Sequence, residues 1–417
     1  MAHFRLPTAL SPLRHRDFAI YWAGQLFANV GRQFETTVTM WLVYELSGSP
    51  LMLGAAGLGR GGAVIVLTLF AGALIDRIGS RSVLIWAQSV YAVISLLVAG
   101  LVAAGLIQPW HLVVTSTING IVLAFDAPAR QSMYAWLVPR EELPAAVPLN
   151  NSVRQLGLVA GPSLAGILIS FFGPLPIYLA NGVTFAGLLV SVLIIRAREP
   201  LAAKAGSLVQ HTLGGMTYVF RSPLLGGLMV LLMLFSTFSH GAAMFTIFAR
   251  DVLQAGPAGL GALAGAAGAG AVVGSILLVT FSTYIRRQGV VLLLAGLAYS
   301  AILLCFGLSS WMPLSVVLGI GLGMGQAISS VMANTVVQLA APEDMRGRVI
   351  AFHVLVTRGF DAFSAVQIGI LTGLVGAGPA VVTGALLLGL SVVTLGVAVP
   401  TLRGFSPTAR TTTAGAP

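Results

Sequence analysis

Between Phe18 and Leu402 the chain is a succession of long apolar runs broken by short polar interruptions marked with glycine and proline. Twelve of these runs reach roughly 20 residues or more, the length a helix needs to cross the ~30 Å hydrocarbon core of a bilayer. The spans lie near 18–46, 51–75, 82–104, 110–137, 144–171, 175–195, 223–249, 257–284, 289–308, 312–340, 348–375 and 379–402. Inside lipid every backbone polar group must be satisfied within its own segment, so the runs predict helices. The pattern predicts an all-α integral membrane protein with twelve transmembrane helices in two six-helix bundles. The expected organisation is an N-terminal segment (1–17), a first bundle (18–195), a linker (196–222), a second bundle (223–402) and a disordered tail (403–417). Within the linker Val209, Leu213, Met216 and Phe220 recur at helical spacing, which predicts a short helix lying on the inner membrane surface.

Composition narrows this picture. The 417 residues are 57% hydrophobic and 8% charged, with a mean hydropathy of +0.94, and a water-soluble domain of that make-up would expose far too much apolar surface. The formal charge of +10 does not indicate nucleic acid, because the basic residues form no patch interleaved with aromatics. They mark loops instead. Arg5, Arg14 and Arg16 precede the first span, and Arg77, Arg81, Arg140, Arg196, Arg198, Lys204, Arg221, Arg286, Arg287, Arg346, Arg348, Arg403 and Arg410 follow even-numbered spans. Arg250 alone falls on an odd-numbered connection. The positive-inside rule then places both termini in the cytoplasm, as expected for a multi-pass protein of a bacterial cell membrane. The basic N-terminus lacks a signal-peptide pattern. The single cysteine, Cys305, excludes an internal disulfide or a cysteine metal site, and no cofactor is expected.

The two halves also read as copies. The segment Leu137-Val138-Pro139-Arg140-Glu141-Glu142-Leu143 after the fourth span is echoed by Ala340-Ala341-Pro342-Glu343-Asp344-Met345 after the tenth. Gly120 aligns with Gly323, and Gly166 with Gly369, at one offset of 203 residues. Internal duplication in a membrane chain is the trace of a transporter built from repeats. The run Gly57-Leu58-Gly59-Arg60-Gly61-Gly62 fits G-x-G-x-x-G, but no strand precedes it and it lies within a span, so it is not read as a nucleotide site.

Candidate chemistry follows from charge in the wrong solvent. Only twelve acidic residues exist, and Glu35, Asp126 and Asp361 fall inside spans. On the first span Gln25, Asn29, Arg32, Thr36 and Thr39 share a face with Glu35 beside it, an arrangement that requires a watery cavity or protein opposite. Arg32 and Glu35 are read either as a structural pair or as part of that cavity. Asn119, Asp126 and Arg130 line one face of the fourth span. Asp126 lies about 13 residues from Pro139, roughly 20 Å deep at ~1.5 Å per residue. A carboxylate at that depth costs on the order of 2.5–3.5 kcal/mol, so it is either paired with Arg130 or exchanging a proton. The fifth span adds Asn151, Arg154 and Gln155. The eleventh adds His353, Thr357, Arg358, Asp361 and Ser364, and the tenth Gln326. His240 and His353 are either proton relays or hydrogen-bonded bystanders. Arg32, Arg60, Arg130, Arg154 and Arg358 outnumber the three carboxylates, so the cavity leans positive and suits a substrate with electron-rich oxygens.

The segment Gly72-Ala73-Leu74-Ile75-Asp76-Arg77-Ile78-Gly79-Ser80-Arg81 resembles motif A of the major facilitator superfamily, whose twelve-span duplicated layout the chain matches over nearly its whole length. The resemblance implies gating by Gly72, Asp76, Arg77, Gly79 and Arg81, with the charged members locking the cytoplasmic ends of the halves. The counterpart in the second half, Tyr284-Ile285-Arg286-Arg287-Gln288-Gly289, lacks the aspartate. Trp41 to Pro50, Phe125-Asp126-Ala127-Pro128-Ala129-Arg130-Gln131 and Val138 to Leu143 resemble the branch that includes the enterobactin exporter and macrolide-type drug:proton antiporters. That resemblance implies proton-driven export with Asp126 and Arg130 in coupling or substrate contact. Gly157-Leu158-Val159-Ala160-Gly161-Pro162-Ser163-Leu164-Ala165-Gly166 is similar to the antiporter motif, with Ala165 in place of a glycine. Gly157, Gly161 and Pro162 would kink the fifth span and let it pack on the glycine-rich eighth. The alternative reading there is a packing seam without direction.

The sequence thus describes a secondary transporter and not an enzyme, exporting an amphipathic siderophore or drug-like molecule against proton entry. Asp126, Glu35 and Asp361 are its proton-coupling candidates. The cavity candidates are Asn29, Arg32, Asn119, Arg130, Asn151, Arg154, His240, Gln326 and Arg358. The alternatives on the same fold are a proton-coupled importer of an organic anion and a lysophospholipid flippase. The expected partners are the small-molecule substrate, protons and the lipid bilayer, with no nucleic acid, and the expected state is a monomer.

Overall fold

The computed structural model describes residues 8–197, 199, 216–239, 241–281, 287–343 and 345–405. These residues are helical and contain no strand. After a 3-10 turn at Thr8–Arg14, α1 runs Arg16–Ser47. It ends at Gly48, whose left-handed φ of 58° lets its N–H reach the carbonyl of Tyr44 at 2.9 Å. α2 (Pro50–Ile78) starts on proline, which lacks an N–H to leave unsatisfied. α3 (Ser80–Ala103) follows Gly79 at φ 85°. α4 (Pro109–Leu137) opens with a reciprocal cap between Gln108 and His111. α5 (Leu143–Phe172) carries Pro148 and Pro162 inside it, and α6 spans Leu175–Ile194.

In the second half α7 spans Pro223–Val252. It is built from helices at Pro223–Phe238 and Gly241–Ile247 and a π-helical turn at Phe248–Val252. Then come α8 (Gly256–Phe281), α9 (Gln288–Leu308), α10 (Met312–Ala340), α11 (Arg346–Val375) and α12 (Ala377–Ala398). Ten of the twelve are long and apolar enough to cross a membrane, and α5 contributes a shorter apolar stretch at Ala160–Phe172. α1 falls outside that set, as its polar face requires. Large apolar side chains such as Val279 (74%) and Leu374 (75%) stand exposed along the helices, as a lipid-facing surface demands. The linker helix expected around Val209 and Leu213 lies outside the described residues, of which 216–221 are helical.

The described residues fall into two compact units, one within 1–48 and 62–206 and the other within 49–61 and 207–417. In the first, α3 packs on α6 and α4, and α1 on α5, α6 and α4. Its core gathers Phe18, Tyr21, Leu84, Val122, Met133 and Leu188, with Tyr91 stacked on Phe185 at 5.0 Å. In the second, α9 packs on α12 and α10, α7 on α11, and α8 on α10. The pairs α3·α6 and α9·α12, α3·α4 and α9·α10, and α1·α5 and α7·α11 correspond, so the duplication read from sequence recurs as packing.

The glycines of α5 and α8 serve close helix approaches within their own units. A Cβ at Gly157 would lie 3.2 Å from the Asn29 carbonyl, and one at Gly161 would meet the Gln33 side chain, so α5 uses its glycines to approach α1. The glycines of α8 close on α10, where a Cβ at Gly270 would strike the carbonyl of Ile320 and one at Gly274 would lie 2.8 Å from that of Met324. From the other side, a Cβ at Gly323 would strike the Ala267 carbonyl. Small residues let two helices approach wherever their faces meet, and spacing along one helix does not name the partner.

Candidate functional site

The centre of the first unit holds an ion cluster drawn from three helices. Asp126 of α4 has no exposed surface. Its Oδ2 accepts from Nε of Arg130, one turn further along α4, at 2.8 Å, and lies 3.2 Å from Nη1 of Arg32 on α1. Its Oδ1 accepts from the Gln88 side-chain amide of α3 at 2.7 Å. Arg130 donates onward to the side-chain oxygens of Gln88 (3.3 Å) and Gln25 (3.4 Å), while its own carbonyl accepts from the Tyr21 hydroxyl at 3.4 Å. The Arg32 guanidinium also sits over the ring of Tyr91, 5.8 Å from its centroid. One carboxylate therefore holds two guanidiniums in a buried site, where breaking the pair leaves charge without water.

Toward the Ser47 end of α1 lies a second polar centre. Glu35 is buried, and its Oε1 accepts from the Asn119 side-chain amide at 2.6 Å. One turn beyond, Thr39 and the Tyr178 hydroxyl of α6 are hydrogen-bonded at 2.9 Å. Glu35 thus faces Asn119, while Arg32 lies against Asp126. Arg32 and Arg130 are balanced here by Asp126 and Glu35, so the positive surplus read from sequence rests on Arg60, Arg154 and Arg358 against Asp361.

The stripe of α1 that meets these centres is Tyr21, Gln25, Arg32, Glu35 and Thr39. Asn29 turns its amide back onto the carbonyl of Gln25 (2.9 Å), and Thr36 its hydroxyl onto that of Arg32 (2.8 Å). Asn151 on α5 is exposed, and the side chain of Arg154 lies outside the described ones, as does His240. In the second unit Gln326 is exposed on α10. Asp361 and Arg358 are exposed on α11, with Ser236 of α7 near the carboxylate. His353 is partly buried, and its Nδ1 has no hydrogen-bond partner among the described residues.

At the α2–α3 corner Asp76 and Arg77 are exposed, and Asp76 forms no ion pair among the described residues. The anion that engages this corner is Glu199, just past α6. Its carboxylate accepts from the backbone N–H of Ser80 (2.6 Å) and Arg81 (3.2 Å), capping the positive N-terminal end of α3. A Cβ at Gly79 would lie 2.7 Å from Glu199 Oε2, so glycine is needed there for space as well as for its φ. Arg81 donates to the Leu193 carbonyl at 3.0 Å, and Asp17 accepts from the N–H groups of Arg196 (3.0 Å) and Ala197 (2.8 Å). Gly72 lies on the last turns of α2. Gly157, Gly161 and Pro162 lie on α5, where the two glycines meet α1.

Sequence reading missed Gln88, Tyr91 and Glu199. The first two carried a signal. Gln88, Tyr91 and Ser95 follow at spacings of three and four in an otherwise apolar span, one face of a helix. Glu199 carried none, since a carboxylate in a linker is unremarkable until a helix start lies beside it.

A duplicated bundle of long apolar helices with an ion cluster inside defines a membrane transport protein of the major facilitator type. Solved structures carry the fold: a POT family transporter in complex with 5-aminolevulinic acid (TM-score 0.76, 11% identity, 93% of this chain and 96% of that one), the nucleoside transporter NupG (0.71, 14%, 94% and 100%) and a D-xylose-proton symporter (0.70, 14%, 93% and 98%). The chain belongs to the transmembrane secretion effector family, whose profile it matches over residues 7–411. It is similar to the enterobactin exporters EntS of Shigella boydii serotype 18 (strain CDC 3083-94 / BS512) and of Escherichia coli O1:K1 / APEC, at 28% identity over 312 residues, 74% of each chain. It is a multi-pass membrane transporter and not an enzyme.

Proposed function

We propose that the protein exports an amphipathic small molecule, of siderophore or drug-like kind, in exchange for protons, by alternating access. The observation that carries this reading is Asp126, a carboxylate without exposed surface held by Arg130, Arg32 and Gln88. A proton on Asp126 removes the charge that fixes two guanidiniums. Those guanidiniums then turn to the electron-rich oxygens of a substrate, through bidentate contacts that an ammonium could not make. Each protonation state favours a different arrangement of the cluster, and a ligand that binds one arrangement better shifts the balance between conformations. Outward direction and a siderophore-like cargo are supported by the EntS relatives. Glu35 and Asp361 are the further coupling candidates. The protein acts in a bacterial cell membrane as a monomer with both termini in the cytoplasm.

The test is efflux of a catecholate siderophore from loaded proteoliposomes, with and without an imposed proton gradient. Gradient-driven efflux that Asp126→Asn abolishes is the expected result. Efflux that ignores the gradient, or an Asp126→Asn protein that behaves as wild type across pH, overturns the coupling role. Gradient-driven uptake in the opposite sense would assign the chain to import.

A further inference from the structure

Beside the Asp126 cluster, α1, α3, α4 and α6 enclose a centre whose polar atoms the protein satisfies only in part. Asn181 of α6 has no exposed surface, and among the described residues neither its Nδ2 nor its Oδ1 has a hydrogen-bond partner. Asn119 donates to Glu35, yet its own Oδ1 is also without a partner. A buried amide with both donor and acceptor unused is rare, and its missing partner is typically an ordered water with two to four polar neighbours.

The register of α1 against α6 places these groups together. The two helices run antiparallel, with Gly24 facing Ser191, Gly31 facing Asn181 and Thr184, and Thr39 bonded to Tyr178. Glu35 is one turn from both Gly31 and Thr39, so its carboxylate lies at the level between Asn181 and Tyr178. Gly31 lets the two helices approach closely at this level, since a Cβ there would lie 2.9 Å from Asn181 Oδ1 and would strike the Thr184 hydroxyl. α4 closes the centre through the bond from Asn119 to Glu35. α3 closes it through Ser95, which donates to the Tyr178 carbonyl at 2.9 Å, and Tyr91, which donates to the Asn119 carbonyl at 3.5 Å.

We infer that this polar centre holds ordered water hydrogen-bonded among Asn181, Asn119 and Glu35, and that Glu35 exchanges the transported proton with it inside the first unit. The inference rests on the proton-coupled reading above. Water fits better than a metal ion because Asn181 presents an unused donor as well as an acceptor, and a cation would satisfy only the acceptor. The step is a simple transfer in which a hydrated proton passes to a Glu35 oxygen and leaves neutral water behind. Return follows the same path reversed. The charged or titratable groups around Glu35 are Arg32 on its own helix, Asp126 and Arg130 on α4, Tyr91 on α3 and Tyr178 on α6. α5, also packed on α1, adds Arg154, whose side chain is outside the described ones.

Hydroxyl-radical footprinting by X-ray radiolysis reads buried water without needing transport, because bound water generates the radical in place. In the purified full-length protein, Tyr178 is expected to be labelled several-fold faster than Tyr44, although both are buried. Asn181→Leu, which replaces the amide with an apolar group of similar size, is expected to remove that difference. The same variant should retain siderophore binding while losing the pH dependence of efflux, and Asn181→Ser should keep both. Labelling of Tyr178 no faster than Tyr44 in the wild type overturns the inference, whether or not any variant folds. So does a full pH response in Asn181→Leu. Wild-type efflux indifferent to a proton gradient sinks the proposed function instead, while the footprint still decides the water.

Discussion

The two halves repeat one packing scheme but differ sharply in what they bury. The offset that aligns Gly120 with Gly323 also aligns Asp126 with Ser329 and Arg130 with Ala333. Ser329 and Ala333 are buried on α10 much as Asp126 and Arg130 are on α4, but the pair is here a hydroxyl and a methyl, and the hydroxyl has no partner among the described residues. The second unit keeps its membrane carboxylate, Asp361, at an exposed position on α11. Duplication therefore preserved the helix contacts, which depend on shape, and let the ion chemistry diverge, because a buried charge survives only where every partner around it is retained.

The largest expected difference between the units comes from removing the central anion. Asp126→Leu removes the carboxylate that holds both Arg130 and Arg32, a cost of about 3–5 kcal/mol. Ser329→Ala only removes a hydroxyl that has no partner among the described residues, and is expected to be neutral or slightly stabilising. Thermal unfolding of both variants in detergent measures the contrast, and equal losses would abolish it. Next come the glycine seams. Gly323→Val drives a side chain into the backbone of α8 and should cost about 1–3 kcal/mol or more, whereas Gly182→Val on α6 meets the end of the half-exposed Leu96 side chain, which can swing away, and should cost less. The same unfolding assay ranks them, and the reverse order would show that the second unit is the looser one.

Gln88→Leu sharpens the comparison further, since position 88 serves only the first unit's cluster. Losing its bonds to Asp126 and Arg130 should cost roughly 1–3 kcal/mol and weaken efflux, with the protein still inserted and folded. The smallest effect belongs to the corner of α2 and α3. Glu199→Ala removes a helix cap worth about 0.5–2 kcal/mol, while Asp76→Ala, at an exposed residue, should leave stability unchanged. A melting shift for Asp76→Ala larger than that for Glu199→Ala would restore the motif's aspartate as the anion that matters at this corner.

Much of this was legible before any coordinate. Apolar run length marked the helices, because lipid leaves the backbone no other way to satisfy its N–H and C=O groups. Asp126 stood out because a carboxylate in that solvent needs a reason, and Arg130, one turn along the same helix, could be named as its partner from spacing alone. Arg32 was placed on a polar face, but its neighbour Glu35 at i+3 drew attention away from Asp126. Helical spacing ranks contacts within a helix and says nothing about those across helices. The same limit hid Gln88, Glu199 and the close approach of the α5 glycines to α1.

The order of residues by itself determined the membrane setting, the helix count, the duplication and which side chains were too polar for lipid, all of which follow from the solvent and from the periodicity of one helix. Only the tertiary structure decided which of those side chains meet: Arg32 with Asp126, Asn119 with Glu35, Glu199 with the start of α3. Such pairings depend on the rotation and register of whole helices against one another. Those are set by the sum of many weak packing contacts, and no short motif records that sum.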